Sequence, residues 1–251
     1  MNYFDANTWI GRWPFAFCDA HTPRSLIAQL KKSGIRRALV SPLDAVFAPE
    51  PGPANEALLR QTRGVTGLEP VPVINPALAN WREELLACGK DVRVRAVRLL
   101  PTYHNYRLQV PVVEALVLEA ARLELRVIVQ VRLIDERHEY HALNLKAVPL
   151  DDLEAFSKTL APGRVMLSGL LGSEILALLP KRPHLVADLS FAEWHDTLSH
   201  LLAKVAVRQL VFASHTPFLI TAAAREKMQS AQVAIGTLRA IAGENLKRFL
   251  A

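Results

Sequence analysis

Cysteine is scarce in this sequence: Cys18 and Cys88 are the only two in 251 residues. Two thiols without zinc-ligand spacing exclude a disulfide-stapled scaffold and a cysteine-built zinc site, and they read as reduced structural thiols. Long hydrophobic runs are also missing, since none approaches the roughly 20 residues needed to cross a bilayer. The first residues lack the basic-then-apolar layout of a signal peptide. The expectation is a soluble, cytoplasmic protein with no membrane partner. A basic stripe with interleaved aromatics is absent as well. The net charge of +6 comes from short pairs such as Lys31-Lys32 and Arg36-Arg37 scattered among acids, which argues against nucleic acid and for small molecules as partners. A homo-oligomer is compatible with the sequence. No linker, low-complexity tract or composition break divides the chain, and FAPEPGPANE (Phe47 to Glu56) reads as a proline-rich loop. One domain over residues 1–251 is the simplest organisation.

What is present is a hydrophobic content of 51%, enough for one sizeable core. Eight short apolar or β-branched runs alternate with segments of helical period. The runs are Tyr3 to Trp9, Arg36 to Pro42, Glu69 to Asn75, Val94 to Leu100, Arg126 to Arg132, Arg164 to Ser168, His184 to Leu189 and Gln209 to Ser214. Helices are predicted over Pro23 to Ser33, Pro53 to Arg63, Asn80 to Gly89, Val110 to Glu124, Leu150 to Leu160 and Thr197 to Ala206, with GENLKRFLA as a last helix. Strands about 25 to 35 residues apart give the repeat of an α/β (β/α)8 TIM barrel with a C-terminal helix.

A barrel of this kind carries its site at the C-terminal ends of its strands. Strict alternation puts Asp5, Asn7 and Trp9 on one face of the first strand, with Phe4, Ala6, Thr8 and Ile10 on the face toward the helices. The same test turns Arg98, Gln130, Arg132 and Asp188 inward. These polar groups are predicted to converge on one mouth. The competing arrangement is an internal salt bridge, Asp5 or Asp188 with Arg98, filling the barrel.

With the strands in place, FDANTWIGRWP, VRLLPTYHNYRL, LVFASHTPF and GENLKRFL resemble the amidohydrolase superfamily, in its amidohydrolase-related, metal-dependent hydrolase-like TIM-barrel branch. The resemblance covers essentially the whole chain and lies in the order and spacing of the segments. Members usually begin with Asp-x-His-x-His, whose histidines bind a divalent metal; here those positions hold Asp5, Asn7 and Trp9. An amide oxygen is a weak ligand for zinc-like ions, and indole offers no lone pair. The family's strand-five histidine falls on Gln130, and its strand-six histidine on Ser168 or Gly169. The final metal-binding aspartate is replaced by His215 in ASHTP. The inherited metal centre is therefore expected to be absent, with no cofactor. A divalent metal would need another ligand set among His104, His138, His141, His195 and His215.

The resemblance implies a hydrolase of a small carboxylated lactone or amide. His215 is the candidate base, with Asp5 beside it as the second catalytic candidate. Arg98 and Arg132 would hold substrate carboxylates, as arginines do in the pyrone-dicarboxylate lactonases of the same superfamily. Asn7, Gln130 or Tyr103 would donate to the developing oxyanion. Trp9, Arg12, His104 and Asp188 complete the substrate-binding candidates. The alternative is a barrel that has abandoned catalysis and binds a small ligand, with Trp9, Trp13, Tyr103 and Tyr106 stacking on a sugar or aromatic ring, or serves as a scaffold.

Overall fold

The computed structural model describes residues 1–19, 21–135, 145–159 and 165–251. Eight parallel strands run in chain order: β1 (Tyr3–Ile10), β2 (Ile35–Pro42), β3 (Leu68–Pro70), β4 (Ala96–Leu99), β5 (Arg126–Gln130), β6 (Val165–Ser168), β7 (Val186–Asp188) and β8 (Leu210–Val211). They form a three-stranded sheet, β1-β2-β3, and a five-stranded sheet, β4-β5-β6-β7-β8. Two parallel bridges join them, Val73 with Arg98 and Thr8 with Thr216. At the first seam Arg98 N donates to Pro72 O (2.8 Å) and Ile74 N to Arg98 O (3.0 Å). At the second, Ala6 N donates to Phe212 O (3.0 Å) and Trp9 N to Thr216 O (2.9 Å). The chain is thus a (β/α)8 barrel.

The strands between the seams keep their alternation. Val97, Leu99, Val127, Val129, Val165 and Leu167 pack outward with helix residues such as Leu26, Leu85, Leu116 and Ile175. Ala96, Ile128, Met166 and Val211 form an inner cluster with Leu246, Phe249 and Leu250. Those last three belong to the C-terminal helix α10 (Asn245–Leu250), which plugs the bottom of the barrel. Asn245 fixes this plug by donating through Nδ2 to Val207 O (2.7 Å) and Leu210 O (2.9 Å).

Strand β1 departs from strict alternation. Its register against β2 shifts between Tyr3 and Phe4 and again between Asp5 and Thr8. Phe4 and Ala6 consequently join the inner cluster, where alternation had assigned them to the helices. A bulged strand re-aims consecutive side chains, so Ala6 and Asn7 both serve the interior at different heights. Strand β3 is shorter than its apolar run because Pro70 and Pro72 cannot donate to a ladder.

The outer helices are α1 (Pro23–Lys32), α2 (Gly52–Gln61), α3 (Trp81–Gly89), α4 (Pro111–Arg122), α5 (Leu150–Thr159), α6 (Gly172–Leu178), α7 (Thr197–Leu202), α8 (Thr221–Gln229) and α9 (Ile235–Arg239). The start of α1 is set locally: Thr22 accepts from Ser25 N (3.1 Å), Pro23 opens the first turn, and Leu26 and Leu30 are buried. A π-helical turn, Ala240–Glu244, links α9 to α10. There Gly243 lies so close to the start of β1 that a Cβ would meet Asn2 O at 2.9 Å. Among the described residues no helix is long and apolar enough to cross a membrane.

Candidate functional site

The strand ends bring Asp5, Asn7, Arg98, Gln130 and Asp188 together, as alternation predicted, with His215 arriving from the turn after β8. All six are buried, and Asp5, Asn7, Arg98, Asp188 and His215 have no exposed surface. Asn7 is the hub. Its Oδ1 accepts from Trp9 Nε1 (2.9 Å) and Arg98 Nη1 (3.0 Å), while Nδ2 lies 2.7 Å from His215 Nδ1 and 3.3 Å from Asp188 Oδ2. Arg98 reaches across both sheets, donating through Nε to Ser41 Oγ (2.9 Å) on β2 and through Nη1 to Gln130 Oε1 on β5. The Trp9 ring covers its guanidinium, 4.5 Å from the ring centroid. Asp188 accepts from Ser168 Oγ, from Ser190 Oγ (2.6 Å) and from Ser190 N (3.0 Å). The inward position on β6 thus belongs to Ser168. Gly169, at φ +85, passes Arg132 O where a Cβ would come within 2.4 Å.

Burial dominates the electrostatics. Asp5 is pushed up to about 7, by desolvation first, with hydrogen bonds from Ser214 and Asn7 opposing and the Asp188 charge adding. Its Oδ1 accepts from Asn7 N (3.1 Å) and Ser214 N (3.0 Å), while Oδ2 has no hydrogen-bond partner among the described residues. An unpartnered buried oxygen suits the protonated acid better than the carboxylate. Arg98 is pulled down to about 9 by burial, with Asp188 and Asp5 opposing. His215 is lowered to about 4, by burial first and by Arg98, against the Leu133 carbonyl and Asp188. The carbonyl can only accept, so His215 Nε2 donates to Leu133 O (2.5 Å) and Nδ1 accepts from Asn7. The imidazole is neutral, in one tautomer, and enclosed by Trp9, Phe191 and Phe218 at ring separations of 6.4, 5.1 and 5.4 Å.

Arg132 meets this network through its backbone, whose carbonyl accepts from Gln130 Nε2 (2.7 Å), while its side chain turns to α6. Its guanidinium grips Glu174 of α6 through two bonds, at 2.9 and 3.0 Å, and donates to Gly169 O (2.8 Å). Neither arginine therefore presents a guanidinium as a ready carboxylate clamp: Arg98 is buried beneath Trp9, and Arg132 is held by an acid from a neighbouring helix. The internal salt bridge expected as the competing arrangement takes another form: Arg98 donates to the neutral oxygens of Ser41, Asn7 and Gln130, while Asp5 and Asp188 act through their charge. Arg12 is exposed. His104 is buried, donating through Nε2 to Ala45 O (3.1 Å), and burial lowers its pKa. Tyr106 packs against the outer helix cluster, away from the mouth. His195 is exposed; His138 and His141 lie outside the described residues.

Above the polar network lies a cavity of about 550 Å³, walled by Trp13, Phe15, Phe17, Tyr103, Phe191 and Phe218. Trp13 anchors it through edge contacts to Phe15 (5.6 Å) and Phe218 (5.1 Å), and Phe47 bridges Trp13 to Tyr103. Asp135 is the only charged residue among its described lining. A second cavity of about 580 Å³ includes Arg12 and shares Trp13, Phe15, Ala16, Phe17 and Cys18 with the first. Sequence reasoning did not single out Phe191 or Phe218; their one signal was position, just beyond the ends of β7 and β8.

No protein-family model matches the chain, and no curated protein matches it in sequence. Solved structures do match. A 5-carboxyvanillate decarboxylase from Sphingomonas paucimobilis superposes with a TM-score of 0.74 at 12% identity, over 99% of this chain and 98% of that one. The chain shares the amidohydrolase-type barrel fold. A probable 2-pyrone-4,6-dicarboxylic acid hydrolase from Acinetobacter baumannii, with citric acid bound, matches at 0.67 and 13% identity over 100% and 99% of the two chains. The 5-carboxyvanillate decarboxylase of Novosphingobium aromaticivorans DSM 12444, complexed with manganese and 4-hydroxy-3-methoxy-5-nitrobenzoic acid, matches at 0.73 and 9% identity over 99% and 96%.

That manganese corrects the expectation of no cofactor: an amidohydrolase-type barrel superposing along nearly the whole chain holds a metal. The side chains on view here do not reproduce a site for it. Among the described residues no three His, Cys, Asp or Glu side chains gather as a metal-holding group. Asp188 Oδ1 and both nitrogens of His215 are engaged by protein groups, and the guanidinium of Arg98 stands among the same side chains.

Proposed function

We propose that this protein binds a small, uncharged aromatic or pyrone-like molecule in the aromatic cavity at the barrel mouth. The observation that carries this reading is the layering: an aromatic chamber of about 550 Å³ sits over a polar network whose base and arginine are buried and engaged. The volume suits a small ligand, and each aromatic pairing contributes about 0.5–1.5 kcal/mol beyond area burial. With Arg98 buried beneath Trp9 and Arg132 held by Glu174, neither of these arginines stands ready to meet a carboxylate, which favours an uncharged ligand. The polar network then serves to hold the aromatic floor. Support from the fold is general: two of the superposing structures are decarboxylases of 5-carboxyvanillate, an aromatic acid, and a third is described as a pyrone hydrolase.

Hydrolysis at the same mouth is the second reading, favoured by the neutral imidazole of His215 and the raised Asp5. In it, His215 Nδ1 exchanges Asn7 for a water molecule and takes its proton, while Asn7 donates to the developing oxyanion. Coumarin separates the two readings because it is both an uncharged aromatic and a lactone. Binding predicts a rise in Tm, about 2–4 °C per kcal/mol for a chain of this size, with coumarin recovered intact. Ring opening that disappears in His215→Asn establishes the hydrolase. Stabilisation by benzoate but not by coumarin would overturn the uncharged-ligand reading. Titrations run with and without Mn²⁺, since a relative holds that ion.

A further inference from the structure

A third cavity, about 320 Å³, borders the aromatic chamber through Asp135, Phe218 and Leu219, and Lys227 of α8 lines it. The Lys227 amine is half-buried and donates to Leu189 O at 2.8 Å. Its walls combine apolar side chains, Phe218, Leu219 and Ile220, with the acids Asp135 and Glu193. The Glu193 carboxylate shares this lining, so Lys227 is poorly placed as a carboxylate anchor. It is well placed as a nucleophile toward an uncharged partner. Burial lowers its pKa, against Glu193 and Asp188, which raises the share of free amine at neutral pH.

We propose that Lys227 captures a neutral aldehyde or ketone in this cavity as a Schiff base. The Nζ lone pair adds to the carbonyl carbon, and the carbonyl oxygen gains a proton to give a carbinolamine. Loss of that hydroxyl as water, with the remaining nitrogen proton, leaves the imine; nothing is oxidised or reduced. Glu193, on the same lining, is placed to relay the protons. The inference concerns a different cavity and chemistry from the ligand reading above, and neither depends on the other.

The test is reductive trapping. Native protein is incubated at pH 7 with benzaldehyde and cyanoborohydride, and the benzylated lysines are mapped by peptide mass spectrometry over time. The expected result is labelling of Lys227 faster than the exposed Lys204 and Lys247, because a lowered amine pKa leaves more of it as free amine. In Lys227→Arg the fast site vanishes while the slow ones keep their rates. Labelling of Lys204 and Lys247 as fast as or faster than Lys227 overturns the proposal. Should Lys227→Arg fail to fold, the wild-type map alone decides.

Discussion

Every direction from the His215 ring is occupied: a carbonyl at Nε2, an amide at Nδ1, and three aromatic side chains around it. It sits at φ +55, a conformation that costs a non-glycine residue on the order of 1–3 kcal/mol. Its pH behaviour opposes that of Asp5. From its ordinary 3.8, Asp5 rises to about 7 on folding, so its contribution is complete at low pH and is lost as pH climbs through that interval. His215 falls from 6.5 to about 4, so its contribution is complete above 6.5 and is lost as pH drops toward 4. Between pH 4 and 6.5 the two slopes cancel. Urea unfolding across this range should separate them, with stability rising with pH in Asp5→Asn and falling in His215→Asn. The slope should approach about 1.4 kcal/mol per pH unit at most. Parallel profiles for the two variants would refute the assignment.

Arg98 carries a second prediction at this scale. Arg98→Met strips the partner from Ser41 Oγ and Gln130 Oε1 and leaves two buried acids without their cation. A loss of about 3–5 kcal/mol is expected, read from the urea midpoint. The inward set Asp5, Asn7, Arg98, Gln130 and Asp188 was legible from a two-residue period. Arg132 was not, because its partner Glu174 comes from a helix 42 positions away, with no local pattern linking them.

At the scale of elements, strands announced themselves through apolar runs, and their C-terminal ends pointed to the mouth. Three helices left no such trace. Helix α8 buries Thr221, Ala224 and Met228, a stripe too small and polar to read as amphipathic. Helices α6 and α9 span only seven and five residues. The bulges of β1 were equally silent, since register depends on the partner strand. The plug α10 was visible as a final helix, but its place inside the barrel bottom was not. Phe249→Ala should cost about 3–5 kcal/mol in a denaturant titration, the usual penalty for emptying a buried aromatic site. Asn245→Ala, which leaves two carbonyls without their donor, should cost about 1–3 kcal/mol.

Across the molecule, the barrel is two sheets stitched along two seams, each drawn together by a pair of backbone hydrogen bonds. Asn7, Ser41, Arg98 and Gln130 span both sheets, so the buried polar network doubles as a brace. Hydrogen exchange should therefore show Ile74 and Arg98 amides opening before those of β5, with the gap widening in Arg98→Met. Equal protection of seam and sheet centre would remove the brace from the account.

Trp13 and residues 15–18 line both chambers, of about 550 and 580 Å³. Shared lining couples the two rooms: a guest pressing on Trp13 in one sets the shape the other offers. The two chambers should therefore not fill independently. A first occupant will alter the affinity for a second, and by thermodynamic reciprocity the second will alter the first by the same factor.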